Sequence, residues 1–109
     1  MNPNHTPWKT VSDQLCLGTA TDGWNLASTC GTAEDEERTF YYYVLFSSPF
    51  TSSPVVQLGL TGFDMDQRQS PRIQLQALEI TPNGFTACLS TWRDTQIYSV
   101  TFNWLAIGS

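Results

Sequence analysis

The chain has 109 residues, 40% of them hydrophobic and 13% aromatic, and a formal net charge of −5. That length holds one domain around a single core, with no room for a second catalytic lobe. The acidic balance opposes phosphate backbones and anionic lipid surfaces, and no apolar run nears the roughly 20 residues of a membrane helix, so neither nucleic-acid binding nor membrane insertion is expected.

The first segment, MNPNHTPWKTVSDQ, lacks the basic start and continuous apolar stretch of a secretory signal, whether one was removed or was never there. Asn4-His5-Thr6 fits a glycosylation sequon, which matters only if the chain enters a secretory pathway. Residues 1–37 are rich in Thr, Asn, Gly, Ser and Asp, with apolar pieces at QLCLG and GWNLA. They are expected to form loops with one or two short strands packed on the main body. Four of the ten acids fall in EDEER, Glu34 to Arg38, and such a run reads by itself as a solvated loop.

Residues 38–109 form the core of the single domain, and here the pattern sharpens. FYYYVLF, PVVQLGLTGF, RIQLQALEI, FTACLSTW and IYSVTFNWLAI are β-favouring runs, separated by the turn sets SSPFTSSP, DMDQRQSP, TPNG and RDTQ. Apolar residues recur at period two and nothing reads as a helix, so the predicted class is all-β, a sandwich of about six strands.

Within RIQLQA, Ile73, Leu75 and Ala77 point one way and Arg72, Gln74 and Gln76 the other. Leu78 and Ile80 then carry the apolar phase, which predicts a bulge or the strand leaving the core. In the last run, Tyr98, Val100, Phe102 and Trp104 oppose Ile97, Leu105 and Ile107, so both faces read as covered. A small sandwich normally leaves one face polar, and the expectation is therefore that one sheet packs against further copies of the chain. The alternative is that Tyr41, Tyr42 and Tyr43 simply decorate a surface.

Enzyme chemistry finds little to work with. The candidate acids Asp64, Asp66, Glu79 and Asp94 mostly sit in predicted turns and not on opposed walls of a cleft. The one histidine, His5, lies in the leader, and the three cysteines match no metal knuckle. No catalytic group, metal or cofactor is expected.

The stretch STWRDTQIYS offers something else. Pyranose rings present C–H patches on one face and hydroxyls around the rim, so their sites combine an aromatic surface with planar hydrogen-bonding groups. Trp92, Arg93 and Asp94 end one predicted strand and Tyr98 opens the next, which brings them to one rim of the sandwich. Arg72 lies on the polar face of a strand paired with the one ending at Trp92. On pattern alone, Trp92 as a core plug, Arg93 and Asp94 as a solvated turn and Tyr98 as a core residue account for the same residues.

The ordered block FSSPFTSSPVVQLGLTGFD through RIQLQALEITPNGFTACLSTWRDTQIYSVTFNWLAIG resembles the H-type lectin family, that of the snail agglutinins and the discoidin C-terminal domain, over residues 38–108. The resemblance rests on Pro49 and Pro54 with their neighbours, Gly84-Phe85, Thr91-Trp92 with Asp94-Thr95, Tyr98-Ser99 and Trp104-Leu105-Ala106. It implies a six-stranded antiparallel sandwich assembling as a homotrimer or homohexamer, binding galactose or N-acetylgalactosamine between neighbouring subunits without a metal. By that resemblance Asp35 and Arg72 hold the axial hydroxyl, and Trp92, Arg93 and Tyr98 line the rest. Glycan recognition of this kind implies action outside the cell.

Three departures bear on detail. Snail members have histidine where this chain has Arg93, near the acetamido group, which leaves galactose against N-acetylgalactosamine open. The family's glycine two residues before the acid is Ala33, whose bulk shifts the loop if positive φ is needed there. The family bridge implies Cys16 with Cys88, but Cys88 stands one residue early, which turns it to the other face. Cys16–Cys88, Cys16–Cys30 and three free thiols all stay open. The expected function is a non-enzymatic, multivalent lectin, the alternative a structural or adhesion module with an inactive pocket.

Overall fold

The computed structural model describes residues 8–28 and 37–109. Among them are six strands and no helix: β1 (Lys9–Gly18), β2 (Glu37–Leu45), β3 (Val55–Met65), β4 (Gln74–Leu78), β5 (Gly84–Trp92) and β6 (Ile97–Gly108). They pair only antiparallel, in two three-stranded sheets of order β1-β6-β3 and β2-β5-β4. The all-β class is as the period-two pattern required.

The two central strands carry most of the core. β6 gives Val100, Phe102, Trp104 and Ala106, and β5 gives Phe85, Ala87 and Leu89, all buried between the sheets. Each large side chain so buried contributes about 1.5–3 kcal/mol over leaving it in water. Phe46, Phe50, Phe85 and Trp104 form an aromatic cluster, with Phe46 and Phe50 edge to face at 5.2 Å and Phe85 against Trp104 at 5.5 Å. On the outer side of β6, Leu105 and Ile107 are half-buried.

The sequence phase of β4 holds. Ile73, Leu75 and Ala77 pack on the core while Gln74 and Gln76 are exposed. The slip after Ala77 is the end of the strand: Glu79 takes a left-handed backbone with φ 51°, which redirects Ile80 onto the core. The turn into β5 needs Gly84, because a Cβ there would collide with the Val44 carbonyl oxygen and the Tyr43 hydroxyl.

Among the described residues before β2 there is one strand, and it is not short: β1 runs ten residues and pairs along its whole length with β6. Cys16 and Cys88 are both free. Cys16 sits opposite Thr101 on the outside of one sheet, and Cys88 opposite Tyr41 and Gln76 on the outside of the other, so the Cys16–Cys88 bridge does not form. Cys30 lies outside the described residues.

Candidate functional site

Three segments converge at one end of the sandwich: the turn from Trp92 to Ile97, the loop from Asp66 to Arg72 before β4, and the loop after β1. Side chains lock them to one another. The Thr95 hydroxyl donates to the Ser70 carbonyl at 2.8 Å, and the Thr91 hydroxyl to the Arg72 carbonyl at 2.6 Å. Both threonines are fully buried, so these bonds satisfy groups that would otherwise be costly to desolvate. The Gln96 amide N–H donates to Gln69 Oε1 at 2.7 Å, Gln69 Nε2 donates to Gln96 Oε1 at 3.1 Å, and Gln96 Nε2 reaches the Ala27 carbonyl at 3.0 Å. Trp24 Nε1 donates to the Ile97 carbonyl at 2.9 Å, which fastens the loop after β1 to the start of β6.

Arg38 is the deepest of these ties. The EDEER run predicted a solvated loop, yet Arg38 lies inside β2 and is only 7% exposed. It shares the inward phase of Phe40 and Val44. Its Nη2 donates to the carbonyls of Arg93 and Thr95, each at 2.9 Å, and its Nη1 donates to the Ser28 carbonyl. One guanidinium thus holds both the turn and the segment leading to the undescribed residues 29–36. Its alternation with Phe40 and Val44 was the signal available in the sequence.

On this scaffold Arg72 reaches the rim. Its Nη1 donates at 2.9 Å both to Asp94 Oδ1 and to the Thr95 hydroxyl, with its side chain 22% exposed and that of Asp94 70% exposed. A pair so open to water adds about 0–1 kcal/mol to stability, so its main effect is to fix where the guanidinium points. Asp94, absent from the set the resemblance implied, is the carboxylate that meets Arg72 here. Asp35, the acid expected to do so, lies outside the described residues.

Trp92 is not sealed in the core. It ends β5 half-buried on the outer face, opposite Glu37, and with Glu37, Gln74 and Arg93 lines an open depression of about 430 Å³. Arg93 takes a left-handed backbone, φ 58°, one of two non-glycine residues among those described with positive φ. Such a conformation costs an L-residue about 1–2 kcal/mol and is held here by the Arg38 bond to its carbonyl.

Tyr98 does not share that depression. β3 pairs Asp64 with Ser99 and Met65 with Ile97, which leaves Tyr98 as the extra residue of a bulge. Gly18 permits the close approach of β1 at this point, since a Cβ there would stand 2.5 Å from the Tyr98 carbonyl oxygen. Tyr98 lines a second depression, about 540 Å³, with Asp64, Asp66, Gln67 and Arg68. There Arg68 Nε and Nη2 fork onto Asp66 at 3.0 and 2.6 Å, and the Arg68 backbone N–H adds a third bond at 3.0 Å. Led by the side-chain bond from Arg68, these lower the Asp66 carboxyl to about 2. The Asp66–Arg68 fork was not foreseen as part of the rim; spacing of two residues in a predicted turn was its only trace.

Among the described residues no three His, Cys, Asp or Glu side chains gather to hold a metal, and no helix is long and apolar enough to cross a membrane. A rim that sets guanidinium, carboxylate, indole and phenol groups around two shallow depressions has the build of a ligand-binding β-sandwich.

The model of the H-type lectin domain matches residues 42–107, and the chain belongs to that family, a family of carbohydrate-binding lectins. A protein of Fuscovulum blasticum described as ATP synthase subunits region ORF 7 is 44% identical over 72 residues, covering 66% of this chain and 63% of that relative. The chain therefore spans a little under two thirds of that relative's length. Two structures of discoidin II from Dictyostelium discoideum, one of the recombinant native protein and one of the wild type, superpose with TM-scores of 0.72 and 0.74. Both are 21% identical, over 94% of this chain and 38% and 37% of theirs, a likeness of fold.

Proposed function

We propose that this domain binds glycans ending in galactose or N-acetylgalactosamine, as a non-enzymatic lectin whose sites are completed between neighbouring copies. Arg72 donates to the axial hydroxyl and Asp35 accepts from it. Trp92 and Tyr98 supply apolar walls, and Arg93 tunes selectivity at the acetamido position. No metal or cofactor takes part. The observation that carries this reading is the Arg72 guanidinium, held at the rim by Asp94 and Thr95 beside a half-buried indole. With Trp92 and Tyr98 in separate depressions, a copy of the chain set against this rim supplies the remaining wall and the acid.

Charged hydrogen-bond partners make Arg72 the residue to remove. Arg72→Ala is expected to cost about 1–3 kcal/mol of galactoside binding, because it strips a charge-assisted donor from a partly buried site. Titration calorimetry with N-acetylgalactosamine measures it; parent-like affinity in the variant contradicts the site. The apolar outer face of β2 favours a second reading, an adhesion module that contacts protein, and a glycan array separates the two.

A further inference from the structure

The sandwich has two broad outer faces, and in a chain of net charge −5 both are short of charge. On β6 the outward row is Thr101, Asn103, Leu105 and Ile107, since Phe102, Trp104 and Ala106 are buried on the other side. The residues paired with that row in β1 and β3, Ser12, Gln57 and Gly59 among them, are uncharged as well. The first acid on this face is Asp64, opposite Ser99 at the rim. The β2-β5-β4 sheet repeats the pattern: between Glu37 at the rim and Glu79 past the end of β4, its outward rows hold no charge and expose Tyr41, Tyr43 and Leu78. Depletion of charge with enrichment in tyrosine marks the places where proteins meet.

The two faces differ in relief. Tyr41 and Tyr43 stand out from the second sheet, each more than half exposed. The first sheet has instead a hollow of about 480 Å³, lined by Ser12, Gln57, Gly59, Asn103 and Leu105. Asp13 borders it but pairs with the inward Trp104, so its side chain belongs to the other side of the strand. Gly59 keeps the hollow open, because nothing lies within 4 Å of where a Cβ would stand. A phenol entering it meets the apolar Leu105, and its hydroxyl meets the Gln57 and Asn103 amides and the Ser12 hydroxyl, the partners a buried tyrosine requires. Two-fold pairing of either face with itself puts projecting ring on projecting ring, or hollow on hollow. Pairing one face with the other puts ring into hollow.

Area favours the use of both faces. Three strands about 4.8 Å apart and about ten residues long offer roughly 500 Å², below the about 800 Å² per partner of a standard interface, whereas two such faces give each copy about 1,000 Å². We propose that copies of the chain associate head to tail, the tyrosine face of one seated on the β1-β6-β3 face of the next. It rests on the reading of the protein as an assembly of copies, and it assigns the surfaces that meet.

The test is mass by light scattering. Gly59→Glu should fold, because the new side chain enters open space, and Asn103→Glu, also at an exposed position, is a second variant of the same face. Tyr41→Glu with Tyr43→Glu alters the other face. The parent should be an oligomer and each variant alone a monomer. An equimolar mixture of the Gly59→Glu chain with the double tyrosine variant should reach twice the monomer mass and stop there, because one intact face of each kind remains. Parent-like mass in both Gly59→Glu and Asn103→Glu overturns the proposal. So do variants that each stop at a dimer, which would mean that each face pairs with itself, and so does a mixture that stays monomeric. A monomeric parent removes the assembly reading and the proposal together.

Discussion

Arg93 holds a left-handed backbone at the point where β5 turns toward β6, a conformation that glycine adopts without strain. Arg93→Gly is therefore expected to leave the fold intact and raise stability by up to about 1 kcal/mol, read as a denaturation midpoint. The same variant should change the ratio of N-acetylgalactosamine to galactose binding, since a side chain at that corner is removed. Asp66 makes a different forecast. Its folded value of about 2 lies below the 3.8 of the free group, so the stability it lends is whole at neutral pH and is lost as pH falls through about 2. Asp66→Asn should be less stable than the parent near neutrality, and the two denaturation midpoints should converge in strong acid. A gap that persists at pH below 2 would refute this. Arg72, Trp92 and Arg93 were legible as a rim from their positions at strand ends. The Arg72–Asp94 bond was not, because a carboxylate two residues past a tryptophan reads equally as solvated turn.

At the scale of elements, alternation carried most of the fold. The inward Ile73, Leu75 and Ala77 of the β4 segment and the inward Val100, Phe102 and Trp104 of β6 stood plainly in the sequence, because a strand with one face on the core puts one residue in two against it. β1 was harder to see. Asp13 occupies the inward phase between Val11 and Leu15, opposite Trp104, and breaks the pattern of a ten-residue strand. An exposed edge strand tolerates such a residue. The Tyr98 bulge also hides, since one extra residue changes the phase that alternation depends on. Arg38 was concealed by its acidic neighbours, although its place two residues before Phe40 put it on the core face. It donates three bonds to carbonyls that hold the turn and the loop together. Arg38→Met should cost about 3 kcal/mol or more by chemical denaturation, because bonds from a charged donor are worth about 1.5–3 kcal/mol each and the Thr95 carbonyl is left buried without its partner. A loss within about 0.5 kcal/mol, the range of ordinary surface substitutions, would show that the clamp is dispensable.

For the whole molecule, the second sheet leaves Tyr41 62% exposed and Tyr43 55% exposed, together with Leu45 and Leu78. Contiguous apolar surface of this kind is what an interface between copies uses. The proposed trimer or hexamer is expected in light scattering, and Tyr41→Glu with Tyr43→Glu should shift the mass toward a monomer if that face is buried. A single monosaccharide site is weak because it buries little area, so loss of assembly should abolish agglutination while leaving monosaccharide titration weakened or absent at shared sites. The apolar residues Leu105 and Ile107 on the second face of β6 were readable in the sequence, but which face meets another copy was not, because period two reports that a face is apolar and not what lies on it. The most direct measurement is a crystal structure of the assembled protein with N-acetylgalactosamine. The expected result is the axial hydroxyl within hydrogen-bonding distance of the Arg72 guanidinium, Asp35 of a neighbouring copy on the same hydroxyl, and Trp92 against the ring. A sugar bound away from Arg72, or a saturating soak that leaves the rim without one, would contradict it.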